Sequence, residues 1–183
     1  QQNDVNNNPI KLSLIRACSI PLNIIYDQKM NFTALSEGEF ANQLKEAQNF
    51  SARIEPKIDQ IYNILKTGEP HINNLKEERW VASYYLAMGR ILATKCRIEF
   101  YNLILAEAKS GLKKQDKKTN AWELTRDTEF TTQNSQLSKS YTNAQKYLKL
   151  VVEKYPDTPW AIIATEELNT PMGYKWIEKY IEP

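Results

Sequence analysis

Apolar residues recur every three or four positions through much of the chain, the spacing of amphipathic helices. From Phe40 the stripe runs through Leu44, Ala47, Ser51, Ile54, Ile58 and Ile61 to Leu65 without losing phase. Ser36-Glu37-Gly38-Glu39 ahead of it has the form of a capping box, and Thr67-Gly68 with Pro70 is a stop signal. Pro56 lies inside the stripe but off its apolar side, so the pattern predicts one helix over 36–67, bent near the proline. A second long helix is expected from Asn74 or Lys76 to about Ser110, with Gly111 as terminator. It is apolar on nearly every side, which predicts a central position in a bundle. Leu86, Met88, Ile91, Leu92 and Leu103 are its candidate core residues. A third long helix, 136–154, carries the stripe Leu137, Tyr141, Ala144, Leu148, Val151, Val152 and Tyr155.

Shorter pieces fill the rest. Asn8 and Pro9 suit the cap and first position of a helix that Pro21 ends. Residues 21–34 lack a helical period and read as an extended connector, with a short strand at 22–26. Residues 113–120 form a charged loop, and Trp122-Glu123-Leu124-Thr125 a short extended piece. Tyr155-Pro156 stops the third long helix, Thr158 caps the next and Pro159 takes its first position, so Trp160 to Leu168 returns antiparallel. Ala144, Leu148, Val151 and Pro156 match the second half of a tetratricopeptide pattern, although its first half is missing. The expected fold is therefore all-α: an irregular helical bundle with a solenoid-like, tetratricopeptide-like C-terminal hairpin. Residues 1–8 are expected to be a disordered polar start, 9–177 one helical domain and 178–183 a tail. Met172, Tyr174 and Trp176 carry enough apolar surface to order 171–177 against the last two long helices, with Trp176 largely buried.

Two segments carry a resemblance. They are "RWVASYYLAMGRILATKCRIEFYNLILAEAKSGLK" and "AQKYLKLVVEKYPDTPWAIIATEELNTPMGYKW". With the Asn-Ala-Trp piece between them, they resemble the C-terminal helical domain of planctomycete-type bacterial proteins that carry a von Willebrand factor type A domain upstream. The resemblance implies a non-catalytic scaffold or protein-interaction module of a larger extracytoplasmic protein, periplasmic or in the cell envelope. It implies an unidentified protein partner. A type A domain holds a cation through an Asp-x-Ser-x-Ser loop; that motif does not occur in this chain, so no metal ligand is carried over. The chain opens Gln-Gln-Asn-Asp without a Met and reads as a mature or cut-down fragment.

Charge and composition narrow the chemistry. The 183 residues include 24 basic and 22 acidic side chains, and the net charge of +2 is too small for an electrostatic nucleic-acid binder. No run of about 18 apolar residues occurs, so membrane insertion by this chain is not expected. Cys18 and Cys96 lack any Cys-x-x-Cys spacing; they are read as two buried free thiols, with a disulfide as the alternative. His71 is the only histidine, too few for a histidine-based metal site or a Ser-His triad. Glu77-Glu78 and Glu166-Glu167 are adjacent on helices and point about 100° apart, which argues against paired acid–base work. Asn31-Phe-Thr and Asn49-Phe-Ser are read as chance sequons. No catalytic residue, cofactor or metal is expected.

Two groups of side chains remain as candidates. Arg90, Arg97 and Glu99 lie within the most apolar helix, with the arginines seven residues apart on one face. They are either internally paired or a small-ligand or anion pocket. Tyr174 and Trp176 lie beyond the last helix and either fold back or offer a docking surface. A third alternative role is a self-assembling structural module of an envelope layer.

Overall fold

A computed structural model of the chain describes residues 8–21 and 28–182. The strand expected at 22–26 and the polar start, apart from Asn8, lie outside the described residues. Helix α1 spans Pro9–Cys18, β1 Asn31–Thr33 and α2 Glu37–Lys66. A 3-10 turn at Glu69–Asn74 leads to α3, Glu78–Ala108. Strand β2 (Ala121–Asp127), α4 (Ser135–Lys154), α5 (Pro159–Asn169) and β3 (Gly173–Lys179) complete the order. The chain is mainly helical.

Local chemistry accounts for the helix ends. Asn8 accepts from the backbone N–H groups of Ile10 and Lys11, Asn134 from those of Gln136 and Leu137, and Thr158 from that of Ala161. Each supplies a partner for donors the first turn leaves open. Ser36 accepts from the Glu39 N–H, while the Glu39 carboxylate turns to the Thr33 hydroxyl at 2.8 Å and ties α2 to β1. Helix α2 runs through Pro56 as one element, as its unbroken stripe predicts. Helix α3 begins later than expected, because residues 69–74 take the tighter 3-10 form.

Helix α3 is the axis of the molecule. Each of α1, α2, α4, α5 and β3 packs on it. Leu86, Met88, Ile91 and Leu92 are buried, and Leu103 is half-buried against the core. The α4–α5 hairpin seats on α3 through Leu86, Leu148, Val151 and Ala164. At this crossing Gly89 matters: a Cβ there would lie 2.7 Å from the Leu148 side chain. The glycine lets the two helices approach closely.

The all-α expectation needs correction, because the strands form an antiparallel sheet in the order β1-β2-β3. Trp122 lies opposite both Phe32 and Glu178, Leu124 opposite Trp176, and Arg126 opposite Tyr174. Alternation sends Phe32, Trp122, Leu124, Tyr174 and Trp176 to the face that meets α2 and α3. Phe32 meets Trp176 edge-on at 5.2 Å, and Tyr101 of α3 meets Tyr174 at 5.6 Å. On the other face, Lys179 pairs with Glu123 at 2.8 Å and Lys175 with Asp127 at 3.3 Å. The expected tail at 178–183 is also corrected. Glu178 and Lys179 belong to β3, and Asn120 grips the Ile181 backbone through two 2.8 Å hydrogen bonds. The cysteines are both free; Cys96 is buried as expected, whereas Cys18 is exposed.

Gly173 opens β3 where a Cβ would lie 1.9 Å from the Glu129 carbonyl oxygen, so any side chain forces two backbone segments apart. Gly173→Ala is expected to cost about 1–3 kcal/mol, as overpacking does. Gly38→Ala, with nothing within 4 Å of the added carbon, serves as the control and should not lower the melting temperature. Equal melting of the two variants would show that the β3 entry is not tightly packed.

Candidate functional site

The arginine candidates converge on one carboxylate. Arg97 is 5% exposed, and its Nη1 lies 2.5 Å from Glu167 of α5. Its Nε donates to the Pro171 carbonyl at 3.2 Å, and its Nη2 to the Thr170 carbonyl at 3.1 Å. The guanidinium thus supplies a cation at the C-terminal end of α5, where open carbonyls favour one. Arg90 reaches the other Glu167 oxygen at 3.4 Å, with its side chain 57% exposed. Arg126 of β2 donates to the same Pro171 carbonyl at 3.2 Å and lies over the Tyr174 ring at 5.0 Å. These groups fasten the α5–β3 connection to α3. They do not form an open anion pocket, because Glu167 occupies the place an anion would take.

Glu99 does not join the arginines. It pairs with Lys95 at 2.8 Å, and Lys95 also bonds to Asp59 of α2. Burial pulls the Lys95 ammonium down, but the bonds to Asp59 and Glu99 outweigh it and hold it above an ordinary lysine. Beside this centre, burial first and then repulsion by Glu99 and Asp59 push the Glu55 carboxyl above the ordinary 4.5, with Lys95 pulling partly back. Helix α3 therefore carries Arg97 toward α5 and Lys95 with Glu99 toward α2.

The docking candidates separate as well. Tyr174 is 4% exposed and is a core residue of the inner sheet face. Trp176 is half-buried, with Phe32, Phe40 and Trp122 around it. Neither stands free as a docking aromatic, because strand pairing turns both toward the core. The tail folds back as expected, but as a strand on β2 against α3.

Several committed groups were not apparent from the sequence. Glu178 accepts from the backbone N–H groups of Gln115 and Asp116, at 2.6 and 3.0 Å, and from the Thr119 hydroxyl at 2.6 Å. Those bonds, the hydroxyl first, hold its carboxyl below the ordinary range and pin the charged loop. Lys11 is buried and bonded to Glu77 at 2.6 Å, which gives that glutamate a partner besides the helix dipole. His71 is exposed in the 3-10 turn. Burial pushes the Cys96 thiol up to about 12, so it is not a nucleophile near neutral pH. Among the described residues no three His, Cys, Asp or Glu side chains gather as a metal site, and no helix is long and apolar enough to cross a membrane.

Among the clefts of the described residues, one of about 570 Å³ opens between α2 and α4 over α3. The buried Met88 and Leu92 of α3 lie beneath it, and Tyr62, Lys66, Lys139, Asn143 and Tyr147 stand on its walls. The chain matches no family model, no curated protein and no solved structure.

Two predictions separate fastening from chemistry. Arg97→Ala should cost about 3–5 kcal/mol, because it strands a poorly solvated Glu167, whereas Arg90→Ala should cost about 0–1 kcal/mol. Comparable denaturation midpoints for the two would refute the clamp. A folded-state value raised at Glu55 means that the folded protein holds this proton more tightly than the unfolded chain does. That contribution is complete below the unfolded value and is lost as pH rises through the folded one. Glu55→Gln should therefore raise the melting temperature at pH 7 relative to wild type, with the difference shrinking toward pH 4. A constant difference across that range would assign the effect to something other than protonation.

Proposed function

We propose that the chain is a non-catalytic scaffold and protein-interaction module whose partner surface lies on its C-terminal elements. The supporting observation is where large apolar side chains remain outside. Of the seven among the described residues, five fall late in the chain: Ile162, Ile163, Ile177, Tyr180 and Ile181. Ile162 and Ile163 sit on α5, the outer helix of the hairpin, and Ile162 is 60% exposed. Scattered exposed apolar residues are ordinary, but their gathering in the last elements of the chain motivates this reading. The α4–α5 pair also supports a solenoid-like, tetratricopeptide-like hairpin, a form used for protein binding surfaces.

The resemblance supplies the wider setting: the C-terminal module of an extracytoplasmic bacterial protein with a von Willebrand factor type A domain. The alternative of an anion site at Arg90 and Arg97 has less support, because Glu167 already takes up both. A self-assembling envelope module is the competing use of the same apolar surface.

A photo-crosslinking side chain at Ile162 or Tyr180, introduced into the protein in its source cells, should give one discrete heavier adduct. The same group at Lys146, on α4, should give none. Adducts of equal yield at all three positions, or no adduct at any, would sink the interaction reading. An adduct at twice the chain mass would favour self-assembly.

A further inference from the structure

We propose that the cleft between α2 and α4 is a binding site for a small hydroxylated organic anion, a sugar phosphate or sugar acid in chemical class. The space of about 570 Å³ lies within the range of small-molecule sites. Its wall on α4 is built with regularity. Gln136, Ser140, Asn143 and Tyr147 are four, three and four residues apart, so they share one helix face. The neighbouring stripe of α4, with Leu137, Ala144 and Leu148, is buried in the core. The polar stripe is the part of the helix that α2 does not cover.

The charges of the cleft are unequally committed. Of its two glutamates, Glu69 accepts a hydrogen bond from the Tyr147 hydroxyl, and Glu99 pairs with Lys95. Burial and that bond to Glu69 raise the Tyr147 phenol, so it stays a neutral donor. Of the three lysines, Lys95 is held by Asp59 and Glu99. Lys66 and Lys139 have no ion-pair partner among the described residues. Two ammonium groups without an anion, Lys66 lying over the Tyr62 ring at 5.7 Å, thus stand one on each wall for an anionic head group. Ser140 and Asn143 are half-buried, and among the described residues their side chains make no internal hydrogen bond. Their hydroxyl and amide are open to ligand hydroxyls, which they can meet as donor and as acceptor. Tyr62 and Tyr147, half-buried on the two walls, offer ring surface for the C–H face of a sugar. A bare inorganic anion would use the lysines and leave the remainder of this surface without a role.

The site is distinct from the surface at Ile162 and Tyr180, so its test stands apart from that of the proposed interaction. Glucose 6-phosphate and glucuronate would be titrated into the whole chain by nuclear magnetic resonance, with glucose and inorganic phosphate as comparisons. Saturable binding of at least one anionic sugar is expected, with a Kd of about 1 mM or tighter and shifts centred on Asn143 and Tyr147. Glucose and phosphate should each bind about tenfold more weakly, and added salt should weaken the anionic sugar. Which anionic sugar binds decides between phosphate and carboxylate as the head group. The double variant K66A/K139A should lose about tenfold in affinity with an unchanged melting curve, since both lysines are exposed. K146A should bind as wild type does. The proposal is overturned if neither sugar saturates, if phosphate alone binds as tightly, or if K146A loses as much as the double variant.

Discussion

The Arg97 guanidinium is the fastening on which the C-terminal third depends. Helix α5 ends against α3, and the chain must then leave as β3 to complete the sheet. The carbonyls of Thr170 and Pro171 at that junction need donors, and Arg97 supplies them while balancing its charge against Glu167. Burying a guanidinium costs a great deal unless charge and donors are both matched, and here both are. The same bonds fix the place and direction in which β3 starts. From there, strand alternation determines that Tyr174 and Trp176 turn inward and Lys175 and Lys179 outward.

Helix α3 shows how one element can be apolar on most sides and still carry charge. Arg97 and Lys95 are two residues apart, so they point to nearly opposite sides of the helix. One is bound to α5 and the other to α2. The remaining circumference packs mainly by apolar contact, close at Gly89 against Leu148, with hydrogen bonds such as that from the Tyr84 hydroxyl to the Leu65 carbonyl between. Charge positions the flanking helices, and apolar burial supplies the larger share of the stability.

Helical elements were legible because their signals are local. Asn8, Ser36 and Thr158 cap as expected, and the phase of the stripe across Pro56 correctly indicated one helix. The sheet was not legible as a sheet, because its strands lie about 90 and 50 residues apart and the first has only three residues. The alternation Trp122-Glu123-Leu124-Thr125 was visible, but nothing near it named a partner. Grouping Glu99 with Arg90 and Arg97 overlooked a rule the sequence already contained: residues two apart do not share a helix face. Glu167 could have been found as the arginines' partner only by knowing where α5 folds back. Lys66 and Lys139 gave no signal, since each is one of many surface lysines until α2 and α4 are placed beside each other.

The pattern of commitment gives the leftover groups their meaning. Among the described residues, the buried Arg97 and Lys11 and the half-buried Lys95 each have an anion at contact distance: Glu167, Glu77, and Asp59 with Glu99. Loop 113–120, charged as it is, is pinned by Glu178. Against that background, a free lysine on an open surface means little, because water solvates it. Two lysines flanking a cleft, beside a hydroxyl and an amide that make no internal bond among the described residues, differ in kind. Ser140 and Asn143 are half-buried on the α4 wall, and a ligand that brings matching groups replaces the water there with fixed partners. A fold that pairs its internal charges so consistently makes such a cleft stand out as a place where partners come from outside.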